Sequence, residues 1–272
     1  MISVIMGVYN VKDKEMAELS INSILNQTYD DFEFIICDDG STNDTISIIE
    51  DITKGDKRIK LIANDKNYGL AYSLNHCLKY ARGEYIARMD IDDCSFPDRF
   101  EKQIKYLEEH KELSFCGTLS ELFDSEGVWG KRILKEYPQK RNFLFGSCII
   151  HATVMYRKEA LLCAGGYAVK WYTKRAEDYE LFMRMYSLEL KAGNIQECLY
   201  KIREDKDAFA RRKYKYRFQE AYVRMIGFWR LRLYPIGAIY VLKPLIVGLI
   251  PQKILKIFRN EKINEGKCYE ER

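Results

Sequence analysis

The feature that most constrains the fold of this chain is a fourfold alternation of apolar runs and helix-like segments over residues 2–110. The predicted strands cover residues 2–8, 32–37, 58–63 and 84–89, and each is followed by a segment that we predict to be helical. Strands that alternate with helices form a parallel sheet covered by helices. We therefore expect an α/β fold, with a Rossmann-like, mostly parallel sheet and helices on both faces.

Polar residues follow all four predicted strands. They are Tyr9 and Asn10 after the first strand, and residues 38–41, 64–69 and 90–93 after the other three. The carboxyl ends of parallel strands meet at one edge of a sheet, where ligands of such folds bind. The positions of these loops predict one shared site.

The alternation weakens after residue 112, where we predict strands at 113–122, 128–134, 149–156 and 194–202 and a helix at 177–188. From about residue 206 the chain becomes helical in pattern, basic and aromatic. We therefore divide it into a main domain of residues 1–205 and a helical tail of residues 206–272.

Three carboxylates, those of Asp90, Asp92 and Asp93, fall within four residues at the end of the fourth strand. In an extended strand Asp90 and Asp92 face one way and Asp93 the other. Like charges this close repel unless solvent or a cation screens them. Mg²⁺ or Mn²⁺ would do so and keep open positions for phosphate oxygens. The alternative is a solvated turn that caps the next helix.

The loop of residues 38–41 has two interpretations, a plain turn with a helix cap or a nucleotide contact. An aspartate such as Asp39 can accept hydrogen bonds from a base N–H or a ribose hydroxyl. Neither the G-x-x-x-x-G-K phosphate loop nor a G-x-G-x-x-G motif follows the first strand. The sequence therefore argues against a P-loop NTPase and a dinucleotide-dependent dehydrogenase.

Glu177 and Asp178 precede an apolar helical stretch. They are either first-turn charges favoured by the helix dipole or a general base for a hydroxyl nucleophile. Trp171 lies just upstream and either stacks on a sugar or packs its own loop. His151 follows an apolar run, where a hydrogen-bonded core histidine is commoner than a ligand.

Five motifs occur in one order along residues 1–205. They are VIMGVYN at 4–10, FEFIICDDGS at 32–41, NYGLA at 67–71 with Asn75 beyond it, MDIDD at 89–93, and GGY at 165–167 followed by Glu177 and Asp178. Together they resemble an inverting glycosyltransferase of family 2, with the A-type nucleotide-sugar fold. The resemblance implies that residues 1–112 form the donor-binding half and residues 113–205 the acceptor half.

The same resemblance implies roles for individual residues. Asp39 would bind the nucleobase, Asp90 the ribose–metal region and Asp92 the divalent cation. The other residues on the donor side are Val8, Tyr9, Asn10, Asn67, Gly69 and Ile91. Ile91 replaces the small residue that is common there, so it either narrows the sugar pocket or points into the core. Asp178 would be the catalytic base, with Glu177, Trp171 and His151 on the acceptor side.

The implied reaction moves a sugar from a nucleoside-diphosphate donor, with uridine favoured and thymidine as an alternative, to a lipid-linked or oligosaccharide acceptor. Mg²⁺ or Mn²⁺ would offset charge on the leaving diphosphate, and Asp178 would deprotonate the attacking hydroxyl. Two other classes remain open on the sequence. A sugar-nucleotide nucleotidyltransferase is disfavoured, because this sequence has no Gly-rich, Arg/Lys-bearing loop after the first strand. A non-catalytic scaffold on the same fold is disfavoured because it would not need the carboxylates.

The tail has a strong positive charge, with 18 Lys/Arg and 8 Asp/Glu in residues 201–272. Its apolar run at 236–250 is shorter than the roughly 20 residues that span a bilayer. Such a segment suits the plane of an anionic membrane surface, although a helix packed on the main domain is the alternative. A nucleic-acid partner is not expected.

We expect a location in the cytoplasm, peripheral on the inner face of the plasma membrane. The first residues lead directly into a strand and show no signal-peptide pattern. The eight cysteines lie at least fifteen residues apart along the chain. This spacing fits reduced, buried thiols and neither a zinc site nor a C-x-x-C pair.

Overall fold

The structure, a computed structural model, describes residues 1–204 and 214–249. Its strands are β1 (Ile2–Val8), β2 (Phe32–Asp38), β3 (Ile59–Ala63), β4 (Tyr85–Arg88), β5 (Cys94–Ser95), β6 (Leu113–Asp124), β7 (Gly127–Arg132), β8 (Met155–Arg157) and β9 (Lys191–Arg203). Its helices are α1 (Lys14–Leu25), α2 (Thr45–Thr53), α3 (Leu70–Leu78), α4 (Arg99–Glu109), α5 (Lys158–Cys163), α6 (Glu177–Ser187), α7 (Lys215–Arg230), α8 (Ile236–Val241) and α9 (Lys243–Leu249).

The strands form one sheet in the order β3-β2-β1-β4-β8-β6-β9-β5, with β7 paired to β6. The first four strands are parallel to one another, so their carboxyl ends share one edge. Strand β8 runs antiparallel to β4 and β6, and β6 pairs in parallel with β9. The predicted α/β fold is confirmed, and the expected loops lie along one edge of the parallel strands.

Alternate residues of the central strands pack into two separate cores. Val4 and Met6 of β1 belong to the core formed with α1, α2 and α4. Ile5 of β1 and Cys37 of β2 belong to the core formed with α3 and α6. Because side chains alternate along a strand, this partition places helices on both faces of the sheet, as the sequence predicts.

The segment at 149–156 differs from its predicted strand. It forms a 3-10 turn at His151–Thr153 and only then enters β8. The Thr153 hydroxyl donates to the Ile150 carbonyl at 3.0 Å and accepts from the Thr118 N–H at 3.0 Å. These side-chain bonds replace part of a strand ladder, which periodicity alone does not reveal.

The C-terminal helices pack on the main domain. Val223 and Phe228 of α7 are fully buried in the same core as α6. Helices α8 and α9 then run back along α7, because Gly237 lies against Phe228 and Gly248 lies against Tyr214. Within the described residues, no helix is long and apolar enough to cross a membrane. Residues 206–213 and 250–272 of the predicted tail lie outside the described residues.

Candidate active site

A cavity of about 600 Å³ lies at the carboxyl end of β4. Among its lining residues are Arg88, Asp90, Asp93, Ser147, His151, Arg175, Glu177, Asp178, Glu220 and Arg224. It therefore joins the strand-end carboxylates at 90–93 to the carboxylate pair at 177–178. The sequence placed both groups at a site, and the fold brings them into one space.

Asp90, Asp92 and Asp93 form a carboxylate cluster in which one oxygen of each lies within 4.8 Å of the others. Strand β4 ends at Arg88, and the chain turns at residues 91–92. The expectation that Asp93 faces away from Asp90 and Asp92 is therefore wrong, because strand alternation no longer applies in the turn. The resemblance names Asp92 as the metal ligand, and the structure adds Asp93 to the same cluster.

Residues from other elements hold this turn in place. The buried guanidinium of Arg88 forms an ion pair with Asp90. The Asp90 N–H donates to the Tyr200 hydroxyl at 3.2 Å, and Asp93 Oδ1 accepts from the Arg203 N–H at 2.8 Å. Tyr200 and Arg203 both belong to β9 and have no signal in the motif, since they lie more than a hundred residues away in the chain.

The carboxylates of the cluster oppose one another electrostatically. Partial enclosure by the site raises the pKa of the exposed Asp92 carboxyl, and the charge of Asp90 raises it further. Burial raises the pKa of Asp93 well above its usual range, and the charges of Asp90 and Asp92 add to the effect. Burial alone would lower the pKa of Arg88, but the charges of Asp90 and Asp93, together with Tyr200 and Tyr167, raise that pKa overall.

The cluster fits a divalent cation. It offers three hard carboxylate oxygens close together, and burial together with the like charges raises the pKa of Asp92 and Asp93. A bound Mg²⁺ or Mn²⁺ would relieve this repulsion, and such ions prefer oxygen ligands. The residues that would hold it are Asp90, Asp92 and Asp93. Asp90 and Asp93 line the cavity, whereas the exposed Asp92 lies beside them and is not a lining residue.

Asp39 is buried at the end of β2 and organises the loop before α3. Its Oδ1 accepts from the Asn64 side-chain amide at 2.9 Å and from the Tyr68 N–H at 3.0 Å. Its Oδ2 accepts from the Gly69 N–H at 2.7 Å. A carboxylate oxygen can accept two hydrogen bonds, so Oδ2 can take another from a nucleobase N–H.

Residues 8–10 lie beside this loop. Val8 is buried in the sheet, whereas Tyr9 is exposed at the strand end. Asn10 adopts a left-handed φ of 49°, donates its N–H to Ser41 Oγ at 2.8 Å and accepts from the Thr42 N–H at 2.9 Å. The loops after β1 and β2 are thus bonded to each other.

The other donor-side residues of the sequence prediction have different environments. Asn67 is exposed, and Gly69 has a φ of 94°, which favours glycine at the start of α3. Ile91 is half-buried and packs against the core formed with α1 and α4. Of its two expected orientations, the packing favours the one toward the core.

Glu177 and Asp178 begin α6 and line the cavity. Burial and the adjacent charge of Asp178 raise the pKa of Glu177 to about 7. A carboxylate in this position can face an acceptor hydroxyl across the cavity from Asp90. The geometry is compatible with the general base that the sequence predicts at Asp178.

His151 and Trp171 occupy different positions. His151 lines the cavity but is buried, and its Nε2 lies 2.9 Å from the Tyr167 hydroxyl. Burial lowers its pKa well below the usual range, so the ring is neutral. Trp171 is 67% exposed, packs beside Tyr222 and is not among the cavity-lining residues.

Helix α7 contributes a wall of the cavity that the sequence prediction missed. Arg224 donates to the Leu144 carbonyl at 3.0 Å, forms an ion pair with Glu220 and lies over the Tyr179 ring. Glu220 and Arg224 both line the cavity. Their only sequence signal is the i, i+4 spacing of opposite charges, which also occurs on ordinary helix surfaces.

The fold and the carboxylate site define a nucleotide-sugar glycosyltransferase, and comparisons with known proteins agree. The model of the family "Glycosyl transferase family 2" matches residues 3–164. EpsE of Bacillus subtilis (strain 168) is 42% identical over 267 residues, which cover 98% of this chain and 95% of EpsE. The chain belongs to glycosyltransferase family 2, whose members generally invert the anomeric configuration.

Further similar proteins have related descriptions. The amylovoran biosynthesis glycosyltransferase AmsE of Erwinia amylovora is 30% identical, with 98% of this chain and 100% of AmsE covered. The structure of S. aureus TarS 1–349 with UDP-GlcNAc has a TM-score of 0.65 at 20% identity and covers 82% of this chain and 65% of that one. A mannosyltransferase from Pyrobaculum calidifontis with GDP-Man and Mn²⁺ has a TM-score of 0.58 at 17% identity, with 93% and 77% covered. These two structural likenesses support the fold.

Proposed function

We propose that this glycosyltransferase moves a sugar from a nucleoside diphosphate to a lipid-linked glycan acceptor during synthesis of a surface polysaccharide. The observation that carries the proposal is the single cavity that holds Asp90 and Asp93 on one side and Glu177 and Asp178 on the other. The first group suits a diphosphate with its cation, and the second suits an acceptor hydroxyl. UDP is the favoured carrier and dTDP the alternative.

Each side of the site has a distinct task in this proposal. Asp39 accepts a hydrogen bond from the nucleobase while it holds the Tyr68 and Gly69 amides. Asp90, Asp92 and Asp93 hold Mg²⁺ or Mn²⁺, which when bound supplies Lewis-acid stabilisation of the diphosphate leaving group. Asp178 accepts the proton of the acceptor hydroxyl as that oxygen attacks the anomeric carbon. Direct displacement needs no enzyme nucleophile and inverts the configuration.

A polysaccharide pathway and a membrane location complete the proposal. The name of AmsE, which describes amylovoran biosynthesis, supports the first. Exposed apolar side chains on the C-terminal helices and the basic charge of residues 201–272 support peripheral attachment to an anionic membrane surface. We propose a location on the cytoplasmic face of the plasma membrane.

The test is a panel of UDP-, dTDP- and GDP-sugars, with and without a lipid-linked acceptor, in Mn²⁺, Mg²⁺ or EDTA. We expect release of nucleoside diphosphate with one sugar, faster with acceptor and abolished by EDTA. Activity that survives EDTA would contradict the cation assignment. Transfer to water-soluble oligosaccharides only would contradict the lipid-linked acceptor, and pyrophosphate exchange would indicate a nucleotidyltransferase.

A further inference from the structure

The outer surface of the C-terminal helices carries exposed apolar side chains in a regular pattern. At α7 they are Tyr214, which caps the helix, and Phe218, Tyr222, Met225 and Trp229 along it, and Trp229 is 75% exposed. Steps of three or four residues place them on one face of the helix. The face that enters the core carries Val223, Gly227 and Phe228 instead. Helix α7 therefore has two apolar faces, and the five side chains of the outer one keep at least about a third of their surface exposed.

The exposed side chains of α7 form one apolar stripe, and a second stripe on α8 and α9 continues this surface. Ile236, Ile239, Leu242, Ile246 and Leu249 are exposed at steps of three or four residues along α8 and α9. The Tyr214 hydroxyl donates to the Leu245 carbonyl at 3.4 Å, and the Tyr234 hydroxyl donates to the Met225 carbonyl at 3.2 Å. Gly248 of α9 lies against Tyr214 and Gly237 of α8 lies against Phe228, so the second stripe is carried by helices that pack along α7. A continuous exposed apolar surface of this kind marks an interaction site, because protein surfaces in contact with water rarely carry one.

The loop of residues 167–176 joins the same surface. The Trp171 ring lies 5.2 Å from the Tyr222 ring, and the Trp171 carbonyl accepts from the Gln219 side chain at 2.6 Å. Lys170, Lys174 and Arg175 are exposed around it, and the loop contains no acidic residue. An exposed tryptophan among cations combines the two side-chain types that favour an anionic membrane interface.

We propose that Trp171 is a membrane anchor, and that the 167–176 loop and the outer stripes of α7–α9 together dock on an anionic phospholipid bilayer. This deepens the peripheral attachment in the proposed function and rests on it. The spacing and length of the stripes suit a helix in the interface plane. A second copy of this chain fits less well, because it would bring one basic loop toward another.

The proposal connects membrane contact to the reaction. The 167–176 loop leads directly into Glu177 and Asp178 at the start of α6, and Arg175 lines the cavity. Arg175 also lies over the Tyr216 ring of α7, so the loop is held against α7 next to the cavity. A bilayer in contact with Trp171 would bring a lipid-linked hydroxyl near the catalytic carboxylates.

The chain contains three tryptophans, which makes the proposal directly measurable. Pairwise replacement by Phe gives three single-tryptophan proteins with Trp171, Trp229 or Trp129. Trp129 serves as the matched control, because its indole is half-buried on β7 and donates to the Glu204 carbonyl at 3.0 Å. A thermal unfolding curve, measured on a separate sample, first confirms that each protein has a native fold. The folded protein is then mixed with phosphatidylglycerol/phosphatidylcholine vesicles containing brominated lipid, and its tryptophan fluorescence is recorded.

We expect vesicles to quench the fluorescence of Trp171 and Trp229 and to shift it to shorter wavelength, and to leave the fluorescence of Trp129 unchanged. High salt should weaken the effect. The double variant Lys170→Glu/Lys174→Glu should bind vesicles at least tenfold more weakly, since each cation near an anionic surface contributes about one factor of five.

The outcomes separate the inference from the proposed function. Quenching of Trp229 but not of Trp171 would overturn the anchor while membrane attachment stands. Absence of quenching and of co-sedimentation would overturn both membrane claims and leave the sugar-transfer assay independent. If the fluorescence of Trp171 or Trp229 shifts to shorter wavelength without vesicles as protein concentration rises, and sedimentation velocity shows self-association, the surface binds a second copy of this chain instead.

Discussion

The side-chain amide of Asn75 bonds to both main-chain groups of Tyr167. Its Oδ1 accepts from the Tyr167 N–H at 2.9 Å, and its Nδ2 donates to the Tyr167 carbonyl at 2.8 Å. Asn75 belongs to α3, which follows the donor loop, whereas Tyr167 begins the loop that leads to Asp178. Gly166 makes the contact possible, since a Cβ there would lie 2.7 Å from Asn75 Oδ1. Asn75 thus ties α3 to the loop that precedes α6, which are the donor and acceptor sides in the proposed function.

Replacing Asn75 by Asp should loosen this tie. The variant keeps an acceptor for the Tyr167 N–H but leaves the Tyr167 carbonyl without its donor, which costs about 1–3 kcal/mol. We expect a lower Tm and slower transfer with little change in donor affinity, measured by thermal unfolding and nucleotide-binding titration. Asn26→Asp, at the exposed C-terminal end of α1, is the control for the added charge and should lower the Tm less, without slowing transfer.

Asp92→Asn tests the cation site, because it keeps the side-chain shape and removes the charge. Activity should fall at least about a hundredfold, and Mn²⁺ should no longer increase the thermal stabilisation by the donor. Asp51→Asn changes an exposed carboxylate on α2 and serves as the control. A fully active Asp92→Asn enzyme would show that the cation is held elsewhere.

Asp178→Asn should separate binding from turnover. In the proposed function the donor contacts lie at Asp39 and at the strand-end carboxylates, so donor affinity should remain nearly intact. Loss of a general base should reduce turnover by about 10² to 10⁴. Donor titration by calorimetry and single-turnover transfer measure the two quantities, and a collapse of donor affinity alone would place Asp178 on the donor side.

Glu177 predicts a pH dependence of stability. Its pKa is about 7 in the folded protein, above the usual value of 4.5, so the folded state binds the proton more tightly than the unfolded state. This group therefore makes the free energy of unfolding decrease as pH rises from about 4.5 to about 7. Glu177→Gln should flatten that part of the profile, measured by urea unfolding across this range. An unchanged slope in the variant would refute the assignment.

Phe228 and Trp229 are adjacent on α7 and should respond oppositely to truncation. Phe228 is fully buried in the core with α6, so Phe228→Ala should lower the free energy of unfolding by about 3–5 kcal/mol. Trp229 is 75% exposed, and Trp229→Ala should change stability by less than about 0.5 kcal/mol. Chemical denaturation without membranes measures both. Equal effects would mean that α7 does not pack as described.

Truncation after residue 204 extends this test to the predicted domain boundary. The truncated chain would lose Val223 and Phe228 from the core and expose their partners on α6. We expect a lower Tm and aggregation for the truncated chain. A truncated protein as stable as the full chain would show that residues 1–204 fold independently of α7.

The first half of the fold follows from local pattern. Each predicted strand over residues 2–89 agrees with β1–β4 to within about a residue, because alternating and continuous apolar runs report burial directly. The carboxylates at 90–93 and 177–178 stand out because clustered charge at element ends is visible in sequence. Their approach across one cavity depends on the sheet order, which includes strands β8 and β9 from the less regular half.

The rest of the site depends on contacts that sequence reasoning cannot locate. The side of the turn occupied by Asp93 is set by where β4 ends, and Tyr200 reaches that turn from β9. Arg224 enters the cavity wall from a helix that resembles a simple basic, aromatic surface in the sequence. Each of these needs the three-dimensional path of the chain, because the partners are separated by long loops.

The cavity wall made by Glu220 and Arg224 also bears on how the specificity of related enzymes could change in evolution. The matched family segment ends at residue 164, whereas these two side chains come from α7. In the proposed function, donor recognition and the surface facing the acceptor would therefore be encoded by separate stretches of the gene. A recombination event near residue 165 would exchange one half of the specificity and keep the other. Relatives assembled this way would build different glycans from the same activated sugar.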